Sequence, residues 1–296
     1  MNCLKLSRED KIVNILLFIV MTVVVIITFY PLYYSVVYAF SDANDIAEKG
    51  FVYFAPRVFT LDNFKMVFTE KALVNAFLIT LSRTVLGTVA SVLFTAVVSY
   101  PLSKRYLLFR KVYLRIGVIT MYFFGGLIPF YLVLKSINLI NSFWVYIIPM
   151  LFSFFNAIIF INFFSAIPDA IEESAKIDGA NDWSIFWQIV IPLSAPVMAT
   201  MALFNGVTQW NSWFDAAFYT TSENLATLQL VLYNIISQAQ GAAMASRFMA
   251  AGQTNMNVID AIKYATMVIS IVPIALAYPF LQKYFVQGMM VGSIKE

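Results

Sequence analysis

Two groups of polar residues carry most of the chemistry that this chain offers. The first is the stretch EESAKIDGANDWSIFWQIVIP (residues 172–192), in which Glu172, Glu173, Asp178 and Asp182 fall within eleven residues, around a Gly-Ala pair. The second is a set of polar side chains inside two otherwise apolar runs. The chain has no histidine and one cysteine. Histidine-based catalysis is therefore excluded, and a zinc or haem site is not expected.

The elements that position these residues are apolar helices. Of the 296 residues, 61% are hydrophobic and 12% are charged, whereas soluble domains carry about 25% charged residues. Apolar runs of 20 or more residues recur, long enough to cross roughly 30 Å of hydrocarbon as helices; a barrel would show short alternating segments. We predict an all-α polytopic membrane protein, one transmembrane domain over 1–296. Its six spans are predicted at about 12–39, 73–100, 112–134, 143–165, 190–214 and 262–285.

The orientation of these spans follows from the basic residues. The short loop at 101–115 holds five basic residues and no acids. Because the positive-inside rule gives short loops the most weight, this loop is predicted to face the cytoplasm. Both termini and the acidic segment then lie in the cytoplasm, and the long polar breaks at 41–71 and 216–261 face outward.

Several classes of transporter do not fit the sequence. It contains no G-x-x-x-x-G-K-[ST] phosphate loop, so ATP hydrolysis by that route is not expected. The spans carry no Asp or Glu near their centres, and Asp215 lies at the outer end of span five. Coupled carriers often place acids mid-membrane, so a proton- or sodium-driven carrier is disfavoured. A channel, a scaffold, or the pore subunit of a machine driven by another chain remain.

The acidic segment has the signals of a helix, a turn and a second helix. Pro168 suits a first helical turn, and the acids that follow lie at the positive end of the helix dipole. Ile171, Ser174 and Ala175 are spaced to form one small, partly apolar face. Gly179 suits the left-handed residue that ends a helix. From the residues alone, a solvated loop with an interfacial helix is the simpler interpretation, and a docking element is the alternative.

The second helix begins near the next polar pair. Asn181 or Asp182 is expected to cap it. Aromatic residues follow in FWQIV, which suits a membrane interface. Pro192 is expected to kink or end the element where span five begins.

This segment resembles the EAA motif of ABC importer permeases, in which Glu-Ala-Ala is followed by Asp-Gly-Ala and a hydrophobic run that ends in proline. One position departs from the pattern, Ser174, where alanine is usual. The resemblance implies that residues 168–192 form a cytoplasmic coupling helix that docks into an ATPase subunit. The residues assigned to this role are Glu172, Glu173, Ser174, Ala175, Asp178, Gly179 and Ala180, with Phe186 and Pro192 completing the match.

The resemblance extends over most of the chain. FFGGLIPFYLVLKSINLINSFW (123–144) and the ending FLQKYFVQGMMVGSIKE are similar to permeases of the carbohydrate-uptake branch, and most similar to the group for aldouronate and other complex oligosaccharides. The resemblance implies a type I ABC importer permease, not itself an enzyme, that moves oligosaccharides inward by alternating access. A different solute (a peptide, an amino acid or an osmolyte) or a motor-free channel or scaffold are the alternatives.

The resemblance also implies the surroundings of the chain. Its partners would be a second homologous permease, two ATPase subunits, an extracellular or periplasmic sugar-binding protein, membrane lipid and the oligosaccharide, with no nucleic acid. ATP and Mg would bind to the ATPase, so no cofactor or metal is expected on this chain. The location implied is a bacterial plasma or inner membrane, multi-pass.

In span two, one polar stripe could lie on a substrate path. Arg83, Gly87, Ser91 and Thr95 recur every four residues, and polar residues inside membranes often mark such paths. Arg83 is expected either to face the cavity or the partner permease, or to make a structural hydrogen bond between helices. Gly87 and Ser91 also form a small-xxx-small pair that suits close helix packing.

Span five offers a second polar face, formed by Asn205, Thr208, Gln209 and Ser212, with Trp210 close by. Amides and hydroxyls beside aromatic rings suit sugars, which have hydroxyl edges and apolar ring faces. An aromatic belt with polar residues in helix packing is the alternative. The candidates for the substrate path are therefore Arg83, Asn205, Gln209, Ser212 and Trp210.

Overall fold

A computed structural model describes residues 8–123, 125–248 and 256–293. Within these ranges the regular structure is helical and no β-strand occurs, which confirms the all-α prediction. The α-helices are α1 (Arg8–Ala39), α2 (Ala43–Lys49), α3 (Asp62–Thr69), α4 (Lys71–Ser103), α5 (Arg110–Tyr122), α6 (Leu127–Ser136), α7 (Phe154–Ser165), α8 (Asp169–Ile177), α9 (Asp182–Ile185), α10 (Ile191–Leu193), α11 (Ala195–Asn211), α12 (Phe214–Tyr219), α13 (Leu228–Phe248) and α14 (Met256–Ser293). Short 3₁₀ turns lie at Phe143–Tyr146, Ile148–Met150 and Glu223–Leu225, and a π-helical turn at Phe186–Val190.

Three helices in the described ranges are long and apolar enough to cross a membrane. They are α1 from Lys11, α4, and α14 over Asp260–Ala277. Three bent pairs also reach the required length: α5 with α6 at 117°, Phe143–Met150 with α7 at 48°, and Asp182–Leu193 with α11 at 79°. By length and composition, the described part of the chain thus contains three spans, or up to six if each bent pair counts as one.

The bends have local causes. Between α5 and α6, Gly126 has a φ of 89°, a conformation that glycine adopts without strain. Between α10 and α11, Pro192 and Pro196 flank the break at Ser194, and neither has an N–H for the helical ladder. The π-helical turn directly precedes Pro192, as expected where ladder hydrogen bonds are rearranged. The predicted start of span five, residue 190, therefore lies inside the helical stretch Asp182–Leu193. The straight helix that follows, α11, ends at Asn211.

The predicted polar breaks contain helices of their own. The break at 41–71 holds α2 and α3, and the break at 216–261 holds most of α12 and α13. Residues 249–255 of that second break lie outside the described residues.

The chain divides into two compact units. The first comprises Met1–Glu70 and Ile235–Ile269. In it, Tyr38 packs against Tyr264 with ring centroids 4.5 Å apart, and Asn63 Nδ2 donates to the carbonyl oxygens of Ala39 and Ser41, each at 2.9 Å, which anchors α3 to the end of α1. None of the most apolar part of α1 is buried, which suits a helix whose surroundings are lipid.

The second unit comprises Lys71–Asn234 and Ser270–Glu296 and contains every described candidate residue. Helix α4 is its centre and packs against both α7 and α11. Gly117 allows α5 to approach α7, because a Cβ there would lie 2.0 Å from the Phe154 ring. The largest core cluster joins α4, α7, α8 and the stretch from α9 to α11, with Val92, Ala96, Tyr100, Phe160, Phe164, Ala175, Ile185, Phe186, Val190, Val197 and Met201 buried in it.

Candidate coupling segment and substrate path

Helix α8 ends in a hydrogen-bonded turn that depends on Gly179. The Gly179 N–H donates to the Lys176 carbonyl at 3.0 Å, and the Ala180 N–H donates to the Ala175 carbonyl at 2.9 Å. These two bonds form a Schellman motif, whose glycine takes a left-handed conformation. Gly179 has a φ of 85°, as the sequence predicted. Pro168 lies one residue before the helix as its N-cap, and not in the first turn as predicted.

The turn also starts the next helix. The Asn181 side chain accepts a hydrogen bond from the Ser184 N–H at 2.8 Å, so Asn181 is the cap of α9. Lys176 forms an ion pair with Asp182 at 3.0 Å across the turn. The hydrogen bond to Asp182 raises the pKa of the Lys176 amine above its ordinary value. Both side chains are largely exposed, so this pair adds little to stability but helps to define the angle of the turn.

Helix α8 has two different faces. Glu172 and Ala175 are 7% and 9% exposed and point into their own chain. Glu173 and Ser174 are exposed, and Ile177 is 86% exposed. The small face predicted from Ile171, Ser174 and Ala175 is therefore divided, because Ala175 packs in the core. The outward face is acidic at its start and apolar at its end.

Glu172 is bonded to the end of α4. Its Oε1 accepts from Lys104 Nζ, and its Oε2 accepts from the Tyr100 hydroxyl at 3.3 Å. The Lys104 ammonium also lies 4.7 Å from the Tyr100 ring centroid. Both charged side chains are 9% exposed, so each would be costly without the other. This buried pair fastens the inner face of α8 to the residue that follows α4.

Arg83 lies at the centre of a second buried cluster. It is 0% exposed, and its Nη2 lies 2.6 Å from Asp215 Oδ2 while its Nη1 lies 3.0 Å from Asp215 Oδ1. Nε and Nη2 both donate to Gln209 Oε1, at 3.1 and 2.8 Å, and Nη1 also reaches the Ser212 carbonyl at 3.3 Å. A guanidinium has five N–H donors, and these five bonds account for all of them.

Other groups hold the partners of Arg83 in place. The guanidinium carbon lies 4.5 Å from the Tyr146 ring centroid, and Gln209 Nε2 donates to the Tyr146 carbonyl at 3.2 Å. Asp215 Oδ1 also accepts from the Ser212 hydroxyl at 3.0 Å. Gly87 leaves room for Gln209, because a Cβ there would lie 2.7 Å from Gln209 Nε2. Arg83 thus joins α4 to the end of α11 and to α12.

Asn205 lies apart from that cluster, in an open cleft of about 360 Å³. Its Oδ1 is 3.3 Å from Ser91 Oγ and 3.3 Å from Asn156 Nδ2. The cleft is formed where α7 and the residues before it face α11. It is lined by Pro149, Met150, Phe152, Ser153, Asn156, Phe204, Asn205 and Thr208.

Known proteins with similar sequences give the family. No family model matches the chain. It is 39% identical over 272 residues to Protein LplC of Bacillus subtilis (strain 168), covering 91% of this chain and 90% of LplC. It is 34% identical over 287 residues to the polygalacturonan/rhamnogalacturonan transport system permease protein YtcP of the same organism, covering 97% and 99% of the two chains. The chain belongs to the permeases of carbohydrate ABC importers.

A solved structure agrees with this assignment. The permease resembles a chain of a bacterial ABC transporter involved in the import of the acidic polysaccharide alginate, with a TM-score of 0.85 and 29% identity. The match covers 95% of the permease and 99% of that chain. Permeases of this family are not enzymes, and they work with substrate-binding proteins and ATPases.

The structure separates the predicted path residues of the permease. Arg83, Gln209 and Ser212 meet in one buried cluster, which matches the structural alternative for Arg83. Trp210 is 4% exposed, and its indole N–H donates to the Ser270 carbonyl at 2.9 Å. Asn205, in contrast, reaches the open cleft.

Sequence reasoning missed the partners of these residues. The sequence indicates Lys104 only as one of the basic residues that set the orientation of the spans, and Asp215 only as an acid at the end of a span. Tyr146 and Asn156 were not singled out. A pairing signal existed for the charged residues, because a buried charge requires a counter-charge; nothing local marked the tyrosine or the asparagine.

Proposed function

We propose that this permease is one of two homologous permease subunits in an ATP-driven importer that carries oligosaccharides inward by alternating access. In this proposal it has six spans with both termini in the cytoplasm, multi-pass in a bacterial cell membrane. Two ATPase subunits bind ATP and Mg, and a sugar-binding protein delivers the substrate outside. The permease itself binds no cofactor.

The substrate class is supported by the relatives. Besides YtcP, they include the arabinooligosaccharides transport system permease protein AraQ of Halalkalibacterium halodurans, 26% identical over 296 residues. Each of these two names specifies a polymer or oligomer of sugars, and none specifies a peptide, an amino acid or an osmolyte. In this proposal the three bent helix pairs bring non-helical backbone to membrane depth, which is tolerated where it faces protein or a water-filled cavity.

The observation that carries the proposal is the two-faced form of α8. Its exposed face offers Glu173, Ser174 and Ile177 to a partner, while Glu172 on the opposite face is paired with Lys104. Displacement of α8 by an ATPase would then pull on α4 through a buried ion pair. About 21 residues of helix, roughly 30 Å at 1.5 Å per residue, lead from Lys104 to Arg83. The Arg83 cluster would transfer the motion to α11 and α12.

The test removes the ion pair while leaving the outward face of α8 intact. Glu172→Gln and Lys104→Gln are compared with Arg105→Gln, an exposed neighbour, in complexes of the permease, its partner permease, its ATPase and its binding protein in nanodiscs. We expect the first two variants to keep the ATPase bound but to lose most of the binding-protein stimulation of ATP hydrolysis. Arg105→Gln should behave as wild type.

A charge exchange provides the second arm. The double variant Glu172→Lys with Lys104→Glu should recover part of the stimulation that the single reversals lose, because the pair is rebuilt in the opposite sense. Normal stimulation in both Gln variants would show that α8 does not act through Lys104. A wild-type complex that imports no oligosaccharide with its binding protein would contradict the proposed function as a whole.

A further inference from the structure

We infer that the cleft between α7 and α11 is a subsite for one sugar ring on the substrate path, with Asn156 and Asn205 as its main hydrogen-bonding groups. This inference rests on the proposed function, since it takes the cargo to be an oligosaccharide. The subsite keeps the predicted contact Asn205 but omits Gln209, Ser212 and Trp210. It adds Ser153 and Asn156, which the sequence did not indicate.

The chemistry of the cleft suits a sugar ring. Its volume of about 360 Å³ lies within the range of small-molecule sites, roughly 300–1,000 Å³. Four of its lining residues carry amides or hydroxyls, and none is charged. Sugars present several hydroxyls at the ring edge, and each hydroxyl both donates and accepts hydrogen bonds, as amides do. The polar residues of the cleft are Ser153, Asn156, Asn205 and Thr208.

The amides of the cleft keep unused hydrogen-bonding capacity. Asn156 Nδ2 donates one of its two N–H groups to Asn205 Oδ1, and Asn156 Oδ1 accepts no hydrogen bond from the residues that the structure describes. Asn205 Nδ2 donates one N–H to the Met201 carbonyl at 2.8 Å, which leaves its second N–H available to a ligand. Ser153 is the N-cap residue of α7, but its hydroxyl makes no capping bond. The second N–H of Asn205, the Oδ1 of Asn156 and the Ser153 hydroxyl are therefore the groups of the cleft that a ligand can bond.

Aromatic rings form part of the wall. Phe152 is 38% exposed and is held by contacts with Phe94 and Phe154, at 6.3 and 6.4 Å between ring centroids. Phe204, 43% exposed, lies one residue before Asn205 on α11. The apolar face of a pyranose ring packs on such a surface while its hydroxyls meet the amides. A fixed ring such as Phe152 loses little conformational freedom when a ligand binds.

The cleft also limits what the subsite distinguishes. The buried cations Arg83 and Lys104 are each paired with a carboxylate of the same chain, and the cleft itself carries no charge. The subsite therefore binds hydroxyls and ring faces, and it does not select an acidic sugar over a neutral one by charge. Whether the cargo carries carboxylates is then decided by the binding protein or the partner permease.

The test compares three asparagines. Asn156→Ala and Asn205→Ala remove amides from the cleft, whereas Asn211→Ala removes an exposed amide of α11 that donates to the Val207 carbonyl at 3.0 Å. Uptake is measured in proteoliposomes that contain the full complex, with the loaded binding protein supplied. We expect the two cleft variants to raise the KM for uptake about 2- to 10-fold each, as for loss of one ligand hydrogen bond, and Asn211→Ala to match wild type.

A labelling measurement gives the second readout. On a Cys3→Ser background, a cysteine at Thr208 should react with a maleimide in the resting complex, and oligosaccharide trapped in the complex should slow that reaction. Normal uptake by both cleft variants, or labelling that substrate does not change, would overturn the inference while leaving the importer function intact. Loss of the partner permease from the cleft variants would also overturn it, because the face would then be a contact between permeases.

Discussion

At the residue scale, the buried charges of the permease pair with each other and join its helices. Arg83 and Asp215 are both buried, and an isolated charge in that position would cost several kcal/mol of desolvation. The bidentate pairing, the Gln209 bonds and the Tyr146 ring together replace the water that the guanidinium has lost. Arg83 is therefore a junction between helices in the state described, with no donor left for a substrate.

Replacing Arg83 should destabilise the fold. Arg83→Met leaves Asp215 buried without its counter-charge, and breaking one side of a buried pair costs about 3–5 kcal/mol. The thermal unfolding midpoint of the purified complex should fall clearly. The double variant Arg83→Met with Asp215→Leu should recover a substantial part, since no charge then remains buried. Equal midpoints for wild type and Arg83→Met would show that the pair contributes nothing.

Gly87 should be sensitive to even a small side chain. A Cβ there would meet the amide of Gln209, which is 2% exposed and fixed by bonds to Arg83 and Tyr146. Overpacking of this kind costs about 1–3 kcal/mol. Gly87→Ala should lower the unfolding midpoint, whereas Gly125→Ala, where nothing lies within 4 Å of the new Cβ, should leave it nearly unchanged. Similar losses in both variants would contradict this account.

At the element scale, α8 and the turn after it form one local unit. The Schellman bonds, the Asn181 cap and the Lys176–Asp182 pair all lie within residues 175–184. Because nothing lies within 4 Å of a Cβ at Gly179, the turn itself is open to solvent on that side. Its conformation is therefore set by these local bonds and not by packing on that side.

A comparison of Gly179→Ala with Gly50→Ala distinguishes an effect of backbone strain on stability from an effect on binding of the ATPase. Both glycines have positive φ, 85° and 77°, and both have open space at the Cβ position. Gly179→Ala should cost about 1–2 kcal/mol of backbone strain, and Gly50→Ala at least as much, because its ψ of −171° lies in a region that only glycine adopts readily. We expect only Gly179→Ala to weaken retention of the ATPase, measured by co-purification, because only that turn belongs to the coupling segment. Equal retention in the two variants would remove Gly179 from the coupling role.

At the scale of the whole molecule, the long break at 216–261 should face outward. Ser237 is exposed on α13, and the basic loop at 101–115 is predicted to be cytoplasmic. On a Cys3→Ser background, a cysteine at Ser237 should react with an impermeant maleimide in intact cells. A cysteine at Lys111, also exposed, should react only after lysis. The reverse pattern would invert the predicted topology.

The features that depend on neighbours along the chain are predictable from the amino-acid sequence. The hydrophobic composition predicted helices in lipid, since each span must satisfy its own backbone hydrogen bonds. The turn at Gly179 is predicted correctly, and of the two predicted caps, Asn181 and Asp182, the structure has Asn181, because both features are formed within a few residues. The EAA resemblance predicts the position of the coupling segment for the same reason, as its motif is contiguous.

Which face of each helix is buried, and which residues it contacts, depends on long-range packing. Glu172 and Glu173 are adjacent and chemically alike, but one is bonded to Lys104, 68 residues away, and the other is exposed. Arg83 bonds to Asp215, which is 132 residues away in the sequence, and Asn156 bonds to Asn205, which is 49 residues away. Helical periodicity predicts which residues share a face, but it does not predict what that face packs against. For this reason the polar face of span five divided into a buried cluster and an open cleft.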